Sequence, residues 1–491
     1  MGEFPGSSGR LVALAAAACI AVSAIQFLLI GRFELTFDEA YYTLWSRSLA
    51  WGYFDHPPMV AAWIRASTTL FGDSEFGVRA LNSAVLAALP ALIAWIAWKL
   101  FKSVAVAALA ALLWISMPLI AGAPIVTPDA PLVVFWTLGL AALVEVWRGR
   151  AWGWLGVGLA LGFALLSKFT AAFFGAGIVL ALVATPSLRR WFFSPAPYAA
   201  ALLAAAIVSP FLVWNAGHGW ATFGKQFGRV PPRGLAPRYA LEFLGSQIGL
   251  MNPLTFFAAG AAIVSAFRTA ASAHAPEQEA RRLLIATIAP AALYFLVHSL
   301  HARVQANWLA PLSPAVAILA AEAGVRGSRL ARTAARWAPA LGLATIAITY
   351  LHAATGQPRI GPADPIARIG GWRALSDQVF SRARDENAAF VLTHGYAATS
   401  LLTYYGPNAP PVVQAGERVR WLFEPPPDEA LFSRPGLAFG EASGEFSATL
   451  GKKFGRVEEI GRLPRVSTGA KVQDFALYRV SDPIAPVLTP D

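Results

Sequence analysis

Long apolar runs recur along this chain at roughly 11–30, 77–98, 104–123, 128–147, 152–167, 169–185, 198–214, 246–267, 283–300, 305–324 and 337–353. Runs of this length carry helices through hydrocarbon, where every backbone polar group must be satisfied within its own segment. With 56% hydrophobic and only 14% charged residues, the chain lacks the charge to cover a soluble surface of 491 residues. The fold class expected is a polytopic α-helical membrane protein of about 11 transmembrane helices. The first run leads straight into a loop and not into a small-residue cleavage site, so it reads as a first transmembrane helix.

The formal charge of +11 invites a nucleic-acid reading. In a membrane chain, excess Lys and Arg instead reflects inner loops, and nucleic acid is excluded as a partner on that ground. Arg10, Lys99, Lys102, Arg148, Arg150, Arg189, Arg190, Arg268, Arg281, Arg282, Arg326, Arg329, Arg332 and Arg336 all fall on one side if eleven spans begin inside. That parity requires two short helices turning near Ser167-Lys168, which also spares a lysine from mid-bilayer. The 31–76 loop, the 122–130 turn, Lys168, the 215–245 loop and the 301–304 turn then share the outer side. The lone Cys19 excludes disulfides within the chain.

After Thr355 the spanning runs stop. Residues 356–491 are polar and rich in Pro and Gly, with β-like stretches at Ala389–Thr393, Gly436–Phe439 and Phe475–Val480 and helical patterns near Trp372–Arg384 and Ala397–Tyr404. Two domains are expected: a membrane domain over 1–355 and a small outer, periplasmic α/β domain over 356–491.

Chemistry concentrates just after the first run, in Phe37-Asp38-Glu39-Ala40-Tyr41-Tyr42 and Tyr53-Phe54-Asp55-His56-Pro57-Pro58. A helix starting at Asp38 puts Asp38 and Tyr42 on one face and turns Glu39 elsewhere. One acid then acts on substrate while its neighbour anchors the loop. The aromatics Phe37, Tyr41, Tyr42 and Trp45 suggest an interfacial helix at headgroup level. Pro57-Pro58 fixes an extended turn, and the Asp55-His56 pair before it is suited to bind a divalent metal, to orient a phosphate or to pair internally. The spacing shows no full metal-ligand set; Asp55, His56 and His218 are the candidates, and metal dependence stays open.

These two motifs resemble the dolichyl-phosphate-mannose-protein mannosyltransferase superfamily, and within it the bacterial branch of lipid A aminoarabinose transferases. The resemblance implies GT-C architecture with a catalytic Asp in the first outer loop, here Asp38. It covers most of residues 10–355. Thr127-Pro128-Asp129 looks like the family's second acidic position, with a helix-capping Asp as the alternative. Leu166-Ser167-Lys168 places a lone cation in an apolar hairpin, and a lysine in this context contacts the lipid phosphate in the family. His218, Trp220, Lys225 and Arg229 resemble its cationic outer loop, though interfacial anchoring explains such residues too. Arg303, before Trp308-Leu309-Ala310-Pro311, looks like its phosphate or sugar contact. The aminoarabinose transferase carries Glu-Lys in place of Asp55-His56 and a basic residue in place of Tyr41, so the resemblance fixes no sugar.

The function implied is transfer of a sugar from a polyprenyl-phosphate donor, such as an undecaprenyl-phosphate sugar, to an outer-face acceptor in lipid A, lipopolysaccharide or another cell-envelope glycan. Asp38 takes a proton from the acceptor hydroxyl in an inverting displacement. Cations near the leaving phosphate stabilise it, with Lys168, Arg303, Lys225 and Arg229 as candidates. Glu39, Tyr42, Asp55, His56 and Asp129 are expected to hold substrate or loop. The acceptor is a glycolipid, polysaccharide or protein, the last making the chain a protein O-glycosyltransferase. A transporter would instead show broken helices with midplane polar groups, and a lipid-binding protein would tolerate loss of Asp38.

Overall fold

The structure is a computed structural model that describes residues 5–228, 234–268, 275–358, 360 and 364–489; Arg229 lies outside them. The chain groups into two compact units. One contains Met1–Leu28, His56–Val60 and Ala80–Thr349, the other Leu29–Asp55, Ala61–Arg79 and Tyr350–Asp491.

The first unit is helical. Among the described residues, seven helices of the chain are long and apolar enough to span a membrane, and nine if each of two bent pairs counts as one span. Two further apolar helices, Val104–Ile115 and Gly153–Ser167, are shorter. The eleven runs of the sequence map onto these elements, but not all as straight spans. The run over 104–123 stops being α-helical at Ile115, and Pro118 opens a separate 3-10 turn over Pro118–Gly122. The run at 246–267 belongs to a pair of helices, Pro237–Leu250 and Pro253–Arg268, bent by 102° about Asn252, whose φ is +66°.

Small residues let two of these helices touch. A Cβ built on Gly158 would lie 2.7 Å from the carbonyl oxygen of Ala200, and one on Gly162 would lie 2.9 Å from the Ile207 side chain. This is the small-xxx-small packing by which helices associate in lipid, here between Gly153–Ser167 and Ala196–Gly217.

The charges sort by end. Lys99, Arg148 and Arg150 converge on the buried Glu145, with N–O distances of 3.9, 3.0 and 2.8 Å. Glu145 is near the C-terminal end of the Asp129–Trp147 helix. Asp129 begins that helix, sixteen residues away, or about 24 Å at 1.5 Å per residue. The sequence places Lys99, Arg148 and Arg150 on one side and Asp129 on the other, and the helix separates them by most of a hydrocarbon core.

The second unit is built on a five-stranded sheet: β1 (Val391–Thr393), β2 (Val412–Gln414), β3 (Gly436–Glu441), β4 (Phe454–Ser467) and β5 (Ala470–Pro483), in the order β2-β1-β3-β5-β4. β1 is parallel to β2 and β3, while β5 runs antiparallel to β3 and β4. Alternation sets its two faces. Ala438, Ala476, Tyr478 and Val480 join Phe390, Leu392 and Phe454 in the core, and Phe439 and Phe475 stack on the other face, ring centroids 4.6 Å apart. Trp372, at the start of the Trp372–Asp385 helix, packs on Phe475. The three strands and two helices read in the sequence are present. β2 is only three residues long. β4 reads Phe-Gly-Arg-Val-Glu-Glu-Ile-Gly-Arg-Leu-Pro-Arg-Val-Ser, a charged, proline-bearing pattern suited to an edge, where unpaired backbone must repel other strands.

Candidate active site

In the second unit the first loop is woven into the C-terminal chain. The Phe37–Arg47 helix begins with a capping box: the Thr36 hydroxyl accepts from the Glu39 amide at 3.2 Å, and the Glu39 carboxylate accepts from the Thr36 amide at 3.0 Å. Glu39 also receives a two-pronged bond from Arg79, Nε to Oε1 at 2.7 Å and Nη2 to Oε2 at 2.6 Å. Arg79 spends its remaining donors on the carbonyls of Ile30, Phe33 and Glu34. Both residues are buried, Glu39 completely. Glu39 therefore anchors the loop, and no exposed oxygen remains for the substrate contact read for it in the sequence.

Asp38 has a different environment. It is half-buried, and one carboxylate oxygen accepts from the Tyr396 hydroxyl at 3.1 Å. Tyr396 opens the Tyr396–Tyr405 helix of the C-terminal chain. Burial pushes the Asp38 carboxyl up to about 6, and the charges of Asp55 and Glu39 add to the rise, while the Tyr396 bond and the Arg420 charge pull it down. A carboxyl poised near 6 ionises readily at neutral pH yet binds a proton well, which suits a general base.

Asp55 is buried and accepts from Arg420 Nη1 at 2.8 and 2.7 Å. The Tyr41 hydroxyl sits 3.2 Å from Asp55 Oδ2 and 2.9 Å from the Arg420 carbonyl oxygen, donating to one of them at a time. The Arg420 guanidinium lies over the Tyr396 ring at 4.4 Å. Asp55 is thus held by a buried ion pair with Arg420 within this unit. The aromatics of the Phe37–Arg47 helix pack inward. Tyr41, Tyr42 and Trp45 are buried inside the unit, packed among Tyr53, Trp421 and Phe423, and Phe37 of that set is exposed. Burial drives the Tyr41 and Tyr42 hydroxyls well above their usual pKa, so both remain neutral hydrogen-bonding groups.

The first unit holds a second cluster. Lys168 stands in extended backbone after the Gly153–Ser167 helix, and its Nζ donates to Asp129 Oδ1 at 2.8 Å and Oδ2 at 2.9 Å. Asn307 Nδ2 donates to the same carboxylate at 2.7 Å, and Trp308 lies 5.4 Å from the ammonium. Asp129 makes no side-chain capping bond; its carboxylate is held by Lys168 and Asn307. Arg303 forms an exposed pair with Glu242 through Nε at 2.6 Å. His218 stacks on Trp214 and bonds its carbonyl, and Lys225 lies half-buried on the Ala221–Phe227 helix. His56 is half-buried at the start of the Pro-Pro turn. Among the described residues no three His, Cys, Asp or Glu side chains gather as a metal site.

Sequence reading missed Arg79, Tyr396 and Arg420. Arg79 left a signal, an arginine in the second turn of an apolar span. Tyr396 and Arg420 left none, because their partners are more than 350 residues away.

A many-spanned helical membrane protein with an acid-bearing first loop and a small α/β sheet defines a class: this is a multi-pass membrane protein with the GT-C fold. Residues 55–214 match the family of dolichyl-phosphate-mannose-protein mannosyltransferases. The chain is 29% identical over 289 residues to the lipid A galacturonosyltransferase RgtD of Rhizobium johnstonii, a match covering 58% of this chain and 59% of that protein. In fold it is similar to ArnT from Cupriavidus metallidurans bound to undecaprenyl phosphate, with a TM-score of 0.67 over 99% of this chain and all of that one, at 15% identity. The oligosaccharyltransferase of Archaeoglobus fulgidus matches over 82% of this chain and 63% of its own, with a TM-score of 0.52 and 11% identity.

Proposed function

We propose that this protein is a glycosyltransferase that moves a sugar from an undecaprenyl-phosphate donor to a lipid A or related envelope glycolipid at the periplasmic face of the inner membrane. The observation that carries the reading is Asp38, a half-buried carboxylate raised to about 6 and steered by Tyr396, at the start of a helix pinned by Glu39 and Arg79. Similarity to a lipid A galacturonosyltransferase supports the acceptor class, and the fold shared with an undecaprenyl-phosphate-bound protein supports the donor class.

Asp38 takes the proton of the acceptor hydroxyl as that oxygen attacks the anomeric carbon. The bond to phosphate breaks, the phosphate leaves as an anion and the anomeric configuration inverts. No acid is required on the leaving side, because a phosphate monoester is already stable as an anion. Positive charge there lowers the barrier further. Lys168 is the best-built candidate: Asp129 and Asn307 fix its position, and its ammonium has a third proton to offer a phosphate oxygen. Arg303 and Lys225 are further candidates for the same charge.

The test supplies purified enzyme in nanodiscs with a panel of undecaprenyl-phosphate sugars and total membrane lipids, with products followed by mass spectrometry. Addition of one sugar mass to a glycolipid supports the reading. No transfer from any donor contradicts it.

A further inference from the structure

Within the second unit a cleft of about 720 Å³ opens beside the proposed base, for Phe37, the residue before Asp38, lines it with 44% of its surface exposed. Its floor is the aromatic face of the sheet, Phe439 and Phe475 with Trp372 packed against them. At one side lies Arg465 of β4. This arginine is 4% exposed, its Nη1 holds the carbonyls of Arg368 and Gly370, and it sits over Trp372 at 5.0 Å. Its Nε is buried without a partner, and among the described residues the carboxylate whose charge acts on the guanidinium, Glu34, makes no contact pair with it. Glu34 acts on this cation from beyond ion-pair distance, and a buried cation with no contact counter-charge is costly, a cost that an anionic ligand lowers.

Across the sheet, the Tyr396–Tyr405 helix starts on the same cleft through Gly395, Ala397 and Ala398, with no side chain capping its first amides. Those amides and the helix dipole favour an anion. β1, which leads into this helix, and β4 are three ladder steps apart, about 14 Å at 4.8 Å per step. Glu441 and Glu445 also line the cleft and can accept from hydroxyls or an amine.

We propose that this cleft seats the acceptor as a phosphorylated saccharide, its rings on the aromatic floor and its phosphate held at the helix start, with Arg465 adding positive charge to the same cleft. The inference rests on the transferase reading, since it assigns the cleft to that reaction's acceptor. Because Arg465 also supports two carbonyls, the decisive variant is Ala398→Glu, compared with Ala398→Gln. A carboxylate at a helix N-terminus favours folding but repels an anion, whereas the amide has the same size and no charge.

With full-length enzyme in nanodiscs, Ala398→Glu is expected to raise the acceptor KM at least tenfold while the donor KM stays within twofold, and Ala398→Gln is expected to stay near wild type. N-acetylglucosamine 1-phosphate should compete with acceptor and not with donor, and should bind wild type but not Ala398→Glu in calorimetry. An unchanged acceptor KM in Ala398→Glu overturns the proposal. Inorganic phosphate or unphosphorylated N-acetylglucosamine competing as well as the sugar phosphate overturns its ligand class. If wild type transfers nothing, the transferase reading fails by itself, and calorimetry still decides whether the cleft binds a sugar phosphate.

Discussion

Adjacent carboxylates in this chain do opposite work. Glu39 is neutralised by a saturated arginine and closes a capping box, whereas Asp38, one position earlier, keeps an accessible carboxylate whose pKa is set by groups that disagree. Burial, Asp55 and Glu39 raise it, and Tyr396 and Arg420 lower it. A base must be ionised, so kcat/KM should rise with pH through about 6. Tyr396→Phe removes a lowering contact and leaves the ring, so this limb should move to higher pH in the pH–rate profile, while a tyrosine that is merely structural would leave it in place. Asp38 stood out in the sequence through the aromatics around it and the family resemblance of its motif. Its division of labour with Glu39 was legible only as an alternation of faces. Arg420 and Tyr396 were not, since no local pattern marks a residue whose role lies across 350 positions.

Among the elements, the short Gly153–Ser167 helix places Lys168 by ending where it does. The sequence showed the break, because a lysine inside one long span would be stranded in hydrocarbon. It did not show the partner helix, which follows from the missing side chains of Gly158 and Gly162. Gly158→Leu would drive a side chain into the Ala200 backbone and force the two helices apart. Overpacking of this kind costs about 1–3 kcal/mol. The variant should melt at lower temperature in detergent and lose transfer, and an unchanged melting point would show that these helices do not pack as described. The edge strand β4 escaped sequence reading for the converse reason: its charges protect a free edge and so hide the alternation that marks a strand.

For the whole molecule, the eleven runs gave the membrane class and its apolar helices, with departures where Pro118 and Asn252 break or bend them. The first loop grouped with the C-terminal sheet had no sequence signal, because compactness is a property of the folded chain. The proposed orientation has a direct check. In a Cys19→Ala background, Lys452→Cys on the exposed end of the sheet unit should react with a membrane-impermeant maleimide added to spheroplasts, and Ala151→Cys should react only after permeabilisation. The reverse pattern would turn the proposed active face to the cytoplasm.

The central claim rests on one carboxylate. Asp38→Asn keeps the shape and removes the base. The raised pKa shows that ionising Asp38 costs the folded state: above about 6 the charged form is buried at a penalty that is absent below the unfolded value near 3.8. The variant should therefore be at least as stable as wild type at pH 7, and any lost activity belongs to the chemistry. We would measure sugar transfer by wild type and Asp38→Asn side by side, with melting temperatures from the same preparations. The account expects an intact fold and transfer reduced about 100- to 10,000-fold, the usual contribution of a general base. A folded Asp38→Asn that transfers as fast as wild type would contradict it.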